Sequence, residues 1–110
     1  GKKIKVINSV KEKLQLDNIT THHQRVEDLD IKVDFIVCRA VAPMETLIHW
    51  SLNKVSFKHI NNIKNGFLCL KGGDLSEELK GFNESQVIPL KNYFREEFFE
   101  TKKLVYYSLG

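Results

Sequence analysis

Two apolar runs in this chain each end at a cationic side chain, a pattern that predicts a site for an anionic or electron-rich ligand. Residues 35–38 are apolar and stop at Arg39, and residues 67–70 are followed by Lys71 and then by Gly72 and Gly73. Short apolar runs bounded by charges are typical of strands that a parallel sheet buries on both faces. Ligands of open α/β sheets bind beyond the carboxyl ends of such strands, so we expect Arg39 and Lys71 at one edge, outside the core.

Three acidic residues and the histidines are alternative candidates for a site. Glu27, Asp28 and Asp30 form either a solvated acidic loop or, through Glu27, the border of a nucleoside pocket. Because His22 and His23 are adjacent in a predicted strand, their side chains would point to opposite faces and could not chelate one metal. The sequence therefore predicts no metal site, and it contains no legible Ser-His-Asp arrangement.

Two further patterns each allow two interpretations. Gly72 and Gly73 after Lys71 could cradle a phosphate or simply turn the chain, and the full P-loop pattern is absent. The aromatic residues within 93–99 could stack on bases, but the glutamates between them would repel phosphates. Packing of these aromatics onto the sheet is the simpler interpretation.

Hydrophobic periodicity and turn residues divide the chain into alternating helices and strands. The predicted helices cover residues 2–15, 43 to about 60, and 74–80, the last opened by the capping-box spacing of Asp74 and Glu77. The predicted strands cover residues 19–23, 35–38, 66–70, 87–90 and 104–109. This alternation predicts an α/β fold with a parallel sheet and right-handed crossovers.

Composition limits the fold to one domain with one core. The chain has 110 residues, a net charge of +3 and 42% hydrophobic residues, values that permit nucleic-acid binding without requiring it. No apolar run reaches membrane-spanning length, and the residues given predict no signal peptide. Cys38 and Cys69 lie in predicted strands and are expected to be buried, reduced thiols. The first helix lacks a capping residue, so we expect a piece of a longer protein.

Five stretches together resemble the family of small-subunit ribosomal RNA guanine-N7 methyltransferases G, also called glucose-inhibited division protein B. The most specific is the run through Arg39 to Pro43, and the resemblance extends over nearly the whole chain. The stretches are residues 1–6, 23–28, 34–43, 70–72 and 102–105. One departure is Cys38, where a serine is usual, and both side chains are small.

The resemblance implies a Rossmann-like, class I S-adenosylmethionine-dependent methyltransferase fold. In that fold the strand order is 3-2-1-4-5-7-6 with the seventh strand antiparallel, and this chain would supply strands three to seven. Residues 1–110 would be the C-terminal part of a single methyltransferase domain, without the glycine-rich cofactor loop and the N-terminal helical region. The implied enzyme is a bacterial, cytoplasmic one.

The resemblance also implies roles for individual residues. S-adenosylmethionine is the implied cofactor, and its binding residues would be Val26 and Glu27 at the adenine and Arg39 near the target base. The implied partner is 16S ribosomal RNA in the small ribosomal subunit. Basic residues expected to face RNA or cofactor are Lys2, Lys3, Arg25, Lys71 and Lys103. No catalytic base is implied, because guanine N7 carries a lone pair and loses no proton.

Two alternatives remain beside this interpretation. A relative derived from a methyltransferase fold could be a non-catalytic RNA- or protein-binding module, or the fold could methylate another substrate. In the implied strand order, residues 19–23 would lack a neighbouring strand, and the inner edge of residues 35–38 would be open. We therefore expect the first thirty or so residues to be disordered, or the fragment to self-associate through that edge.

Overall fold

The computed structural model describes residues 2–39, 43–82 and 84–109, and it contains a four-stranded mixed sheet. The helices are α1 (Lys2–Lys13) and α2 (Met44–Ser51), and the strands are β1 (Phe35–Arg39), β2 (Gly66–Gly72), β3 (Gln86–Pro89) and β4 (Lys102–Ser108). The strand order is β1-β2-β4-β3. β1 and β2 are parallel, and β4 is antiparallel to both of its neighbours.

The direction of β4 corrects the all-parallel sheet that the alternation predicts. Only short 3-10 turns connect β3 to β4, and a parallel return would need a crossover connection, usually a helix. β4 instead returns between β2 and β3, antiparallel to each. The order β1-β2-β4-β3 corresponds to the 4-5-7-6 part of the implied order, with the seventh strand antiparallel.

The core lies on one face of the sheet, under α2. Alternate residues of the three long strands point toward this face, and Met44 and Leu47 of α2 pack on them; the strand residues are Ile36, Cys38, Phe67, Cys69, Val105 and Tyr107. On the opposite face Val37 is 70% exposed. The expectation that β1 is buried on both faces is therefore wrong, because β1 is an edge strand covered on one side.

The predicted strand at residues 19–23 does not form. The segment pairs with no strand among the described residues, and the Thr21 hydroxyl donates a hydrogen bond to Asn8 Oδ1 of α1 (3.0 Å). β-Propensity alone does not make a strand, because a strand needs a partner for its backbone groups. The described residues therefore form four strands, whereas the sequence predicts five.

The second predicted helix is shorter than expected. α2 ends at Ser51, whose hydroxyl donates a hydrogen bond back to the Leu47 carbonyl (2.6 Å), and a 3-10 turn Leu52–Lys54 follows. Val55 then forms a parallel bridge with Val33, which requires extended backbone. Pairing with the segment before β1 therefore ends the helix well before residue 60.

The predicted helix at residues 74–80 is a series of turns. Asp74 Oδ1 accepts a hydrogen bond from the Ser76 N–H (2.9 Å), and Leu79 N–H bonds to the Leu75 carbonyl (2.9 Å). Gly81 then adopts a positive φ of 91°, which ends any helical continuation. A positive φ also follows the end of the first helix: α1 ends at Lys13, and Gln15 has a φ of 55°.

The helix α1 is confirmed, but its apolar stripe is not covered. None of its residues is buried, and Ile7 and Val10 are among its exposed side chains. No helix in the described parts of the chain is long and apolar enough to cross a membrane.

Candidate functional site

The carboxyl ends of β1 and β2 open into a cavity of about 690 Å³, which we call the strand-end cavity. Its lining combines cations, one carboxylate and aromatic rings: Arg39, Pro43, Leu70, Lys71, Gly72, Glu78, Leu90, Phe98, Phe99 and Lys102. Arg39 and Lys71 therefore do meet at one edge of the sheet. This is the location that parallel strands with cationic ends predict for a ligand.

The two predicted cations differ in their surroundings. Arg39 is exposed, whereas the Lys71 side chain is only 8% exposed and forms an ion pair with Glu78, with 2.8 Å between Nζ and Oε2. The same oxygen of Glu78 accepts a hydrogen bond from the backbone N–H of Met44 (3.2 Å). Lys71 is not part of the apolar core, but unlike that of Arg39 its charge is held by a carboxylate, which also holds the start of α2.

Aromatic side chains form one wall of the strand-end cavity. Phe99 stacks on Phe94 with 4.6 Å between ring centroids and meets Phe98 edge-on at 5.1 Å. Phe98 remains 61% exposed, and Lys102 Nζ lies 5.0 Å from the centre of its ring. A planar, electron-rich ligand would find both an apolar face and nearby cations here.

A second cavity, the loop cavity, borders the middle of β1 and measures about 630 Å³. Arg25, Val26 and Glu27 line it from the 3-10 turn Val26–Asp28 and the residue before it. Its other walls are Ile36, Leu47, Trp50 and Ser51. Apolar walls with one carboxylate suit a flat heterocycle that carries an amino group.

Three of the predicted basic residues line neither cavity. Lys2 and Lys3 are exposed on α1. Lys103 donates a hydrogen bond from Nζ to the Gly73 carbonyl (2.6 Å). Gly73 itself has a φ of 73°, so Lys103 stabilises the turn that follows β2. That Lys2, Lys3 and Lys103 face RNA stays a prediction.

Sequence reasoning missed Lys102, although a signal for it existed. β4 runs antiparallel to β2, so its first residues reach the same edge as the last residues of β2, and Lys102 pairs with Gly72. Side chains alternate along a strand, so Lys102 and Lys103 point to opposite faces. Glu78 and Trp50 were also missed, and only the fold brings them to the cavities.

Two groups near the strand ends have perturbed acidity. Hydrogen bonds from the Ser76 backbone and hydroxyl lower the pKa of the Asp74 carboxyl, which keeps it charged at the turn. Burial, followed by the hydrogen bond that the Cys69 thiol shares with Cys38, raises the pKa of that thiol to about 12. The two sulfur atoms are 3.1 Å apart, in register on β1 and β2. Cys69 is therefore a neutral core thiol and not a nucleophile.

In the part of the chain that the structure describes, no group of three or more histidine, cysteine or acidic side chains is close enough to hold an ion. The residues Ala40, Val41 and Ala42 of the most specific motif, and Gly1 of the first stretch, lie outside the described residues.

Comparison with known proteins identifies the family of this chain. Residues 1–105 match the family model described as rRNA small subunit methyltransferase G. The chain is 51% identical over 106 residues to the ribosomal RNA small subunit methyltransferase G of Christiangramia forsetii, covering 96% of the chain and 50% of that protein. It is 45% identical over 109 residues to the protein of the same name from Flavobacterium johnsoniae, covering 99% of the chain and 52% of that protein.

A third relative gives the same result. The ribosomal RNA small subunit methyltransferase G of Parabacteroides distasonis is 44% identical over 110 residues, which cover 99% of the chain and 48% of that protein. The chain spans about half the length of each of these curated relatives. Because the family model matches almost all of the chain, the chain belongs to the rRNA small subunit methyltransferase G family.

Proposed function

We propose that the protein containing this chain is a cytoplasmic S-adenosylmethionine-dependent enzyme that methylates N7 of a guanine in 16S ribosomal RNA. This chain would contribute the base-binding side of the active site and the adenine side of the cofactor site. The proposal rests first on membership of the family and on the names of the relatives.

The observation that carries the proposal is the strand-end cavity. It combines cationic side chains, which bind phosphates and the O6 edge of guanine, with an exposed phenylalanine ring, on which a base can stack. A volume of about 690 Å³ accommodates a nucleobase together with neighbouring groups. A general protein-binding module would not need this pairing of cations with an accessible ring.

The loop cavity fits the adenosine part of the cofactor. Val26 and Trp50 supply apolar surface for the adenine ring, and the Glu27 carboxylate can accept a hydrogen bond from an amino group. When bound, S-adenosylmethionine supplies a methyl group on a positively charged sulfur. Val26, Glu27 and Trp50 would hold the adenine, and Arg39 belongs to the neighbouring strand-end cavity.

The residues present suffice for the chemistry without a general base. Guanine N7 already carries the lone pair that attacks the methyl carbon, so no proton has to leave. Arg39 and Lys102 would hold phosphates and O6, and Phe98 would fix the plane of the base. Such alignment alone can supply about 7–11 kcal/mol of barrier lowering.

The test uses the full-length protein and small ribosomal subunits that lack the modification. We expect labelled methyl transfer to 16S RNA, and 7-methylguanosine as the product in nucleoside mass spectrometry. Lys102→Gln should raise the KM for subunits about 10-fold. It should also reduce the slope of the logarithm of the binding constant against the logarithm of salt concentration by about 1, the value for one phosphate contact. Lys91→Gln is the matched control, since Lys91 is exposed and lines neither cavity.

Product formation decides the proposal. Transfer to a different nucleoside would reject the guanine-N7 assignment. Tight binding of subunits without any methyl transfer would favour the non-catalytic RNA-binding alternative.

A further inference from the structure

The strand-end cavity contains an acidic side chain where a phosphate site would need none. Glu78 is the only carboxylate among the described residues that line the cavity, and a carboxylate repels phosphate. Its side chain is 24% exposed, so part of it is accessible to a ligand. The ion pair with Lys71 does not account for this accessible part of the Glu78 side chain.

The hydrogen-bonding capacity of Glu78 exceeds what the described residues use. A carboxylate offers about four lone-pair sites. Lys71 Nζ at 2.8 Å and the Met44 N–H at 3.2 Å both bond to Oε2. Among the described residues no other donor bonds to this carboxylate, so acceptor sites remain for a ligand in the cavity.

A fixed acceptor of this kind selects between nucleobases. The Watson–Crick edge of guanine carries two adjacent donors, N1–H and the N2 amino group, which one carboxylate can accept together. Adenine, cytosine and uracil each present a single donor on that edge, so none of them can use the carboxylate in this way. Enzymes that act on a base commonly take it out of the stack and bind this edge in a pocket. N7 lies on the other, Hoogsteen edge and stays open to the methyl donor.

The aromatic wall provides the second element of base binding. Phe99 is packed between Phe94 and Phe98 at centroid distances of 4.6 and 5.1 Å, which fixes the position of the wall. Phe98 is 61% exposed and shares the cavity with Glu78. A base whose edge meets Glu78 can therefore stack on a ring that is already in place.

We propose that Glu78 and Phe98 select the target base: the Glu78 carboxylate accepts hydrogen bonds from guanine N1–H and the N2 amino group, and Phe98 stacks on the ring. This inference rests on the proposed function and specifies the base-recognising residues of the same site. Glu78 acts here as a specificity-determining residue, with no proton transferred.

The experiment compares guanosine with inosine at the target position in reconstituted small subunits, using the full-length enzyme. Inosine lacks the N2 amino group but keeps N1–H, O6 and N7. We expect kcat/KM of the wild-type enzyme to fall about 10-fold or more on inosine. Glu78→Gln should lower kcat/KM on guanosine and bring the guanosine-to-inosine ratio close to one, because an amide offers a single acceptor.

The controls separate recognition from folding. Glu77→Gln changes the neighbouring exposed carboxylate, which does not line the cavity, and should preserve the ratio. Phe98→Ala should raise the KM about 10-fold, whereas Tyr93→Ala, an exposed ring outside the cavity, should not. Thermal melting of each variant reports any loss of fold.

The outcomes of the two proposals are distinguishable. A wild-type enzyme that methylates guanosine and inosine equally well overturns the role of Glu78 without any variant, so an unstable Glu78→Gln protein does not weaken the test. An unchanged ratio in a folded Glu78→Gln protein overturns it as well. A wild-type enzyme that transfers no methyl group overturns the proposed function and this inference with it.

Discussion

The ion pair between Lys71 and Glu78 should contribute measurably to stability, although it lies at a ligand site. With 2.8 Å between the charged atoms, the direct attraction is about 6 kcal/mol at an effective dielectric constant of 20. Loss of hydration offsets most of this, because Lys71 is only 8% exposed. Glu78 is more accessible to water, so we expect a net coupling of about 1–3 kcal/mol.

A double-mutant cycle in the free energy of unfolding measures this coupling. Lys71→Met keeps the aliphatic stem and removes the charge, and Glu78→Gln keeps the side-chain shape. Each single variant should lose about 2 kcal/mol in urea unfolding, because the remaining charge is left partly buried, and the double variant should lose less than the sum. Lys80→Met, a nearby exposed control, should change stability by no more than about 0.5 kcal/mol. A coupling energy near zero would show that solvent screens the pair, and would refute the reasoning.

The remaining predictions concern the site, the core and the sheet edge. Arg39→Ala should reduce methyl transfer by the full-length enzyme at least 10-fold and leave the melting temperature unchanged, since Arg39 is exposed. If the variant kept the turnover of the wild-type enzyme, Arg39 would have no role in the reaction. Alkylation of Cys69 at pH 8 should be at least 100-fold slower in the folded chain than in urea, because folding raises the pKa of this thiol from 9.0 to about 12, and equal alkylation rates would contradict its burial. The stability that the neutral thiol contributes is complete below pH 9 and is lost as the pH rises from 9 to 12. Gly66→Ala should cost about 1–3 kcal/mol in urea unfolding, because a Cβ would overlap the backbone of β4, and an unchanged midpoint would place the strands farther apart. The 110-residue chain should associate through the edge of β1 in light scattering, and Val37→Lys should reduce this association while Phe57→Lys, equally exposed but outside the sheet, should not.

The sequence predicts most elements of this fold because their local signals are strong. Pro43 marks the start of α2, and the apolar runs place β1 and β2 within two residues of their boundaries. The strand at residues 19–23 fails because its β-branched residues have no partner strand, which propensity cannot reveal. The early end of α2 depends on the bridge between Val33 and Val55, a contact between distant residues.

The candidate site was predictable only in part, for a related reason. Arg39 and Lys71 follow apolar runs, so position along the chain is enough to bring them to the sheet edge. The burial of Lys71 depends on Glu78, which reaches it from a turn seven residues later. The position of Lys102 at the cavity depends on the direction of β4, which is a property of the whole sheet. Side chains that reach a site through tertiary contacts carry no local signal in the sequence.

The position of β1 between the two cavities explains why pairing of this strand matters for function. Ile36 lines the loop cavity and Arg39 lines the strand-end cavity, and the two are three residue steps, or about 10 Å, apart along the strand. Residues three apart in a strand point to opposite faces, so one short strand presents a side chain to each cavity. A shift of one residue in the register with β2 would turn both side chains to the wrong face. In the observed register Cys38 lies opposite Cys69 on the buried face, and a slip by one residue would turn Cys38 out of the core. The two cavities therefore hold a fixed relation to each other through β1, which is what alignment of a methyl donor with a base requires.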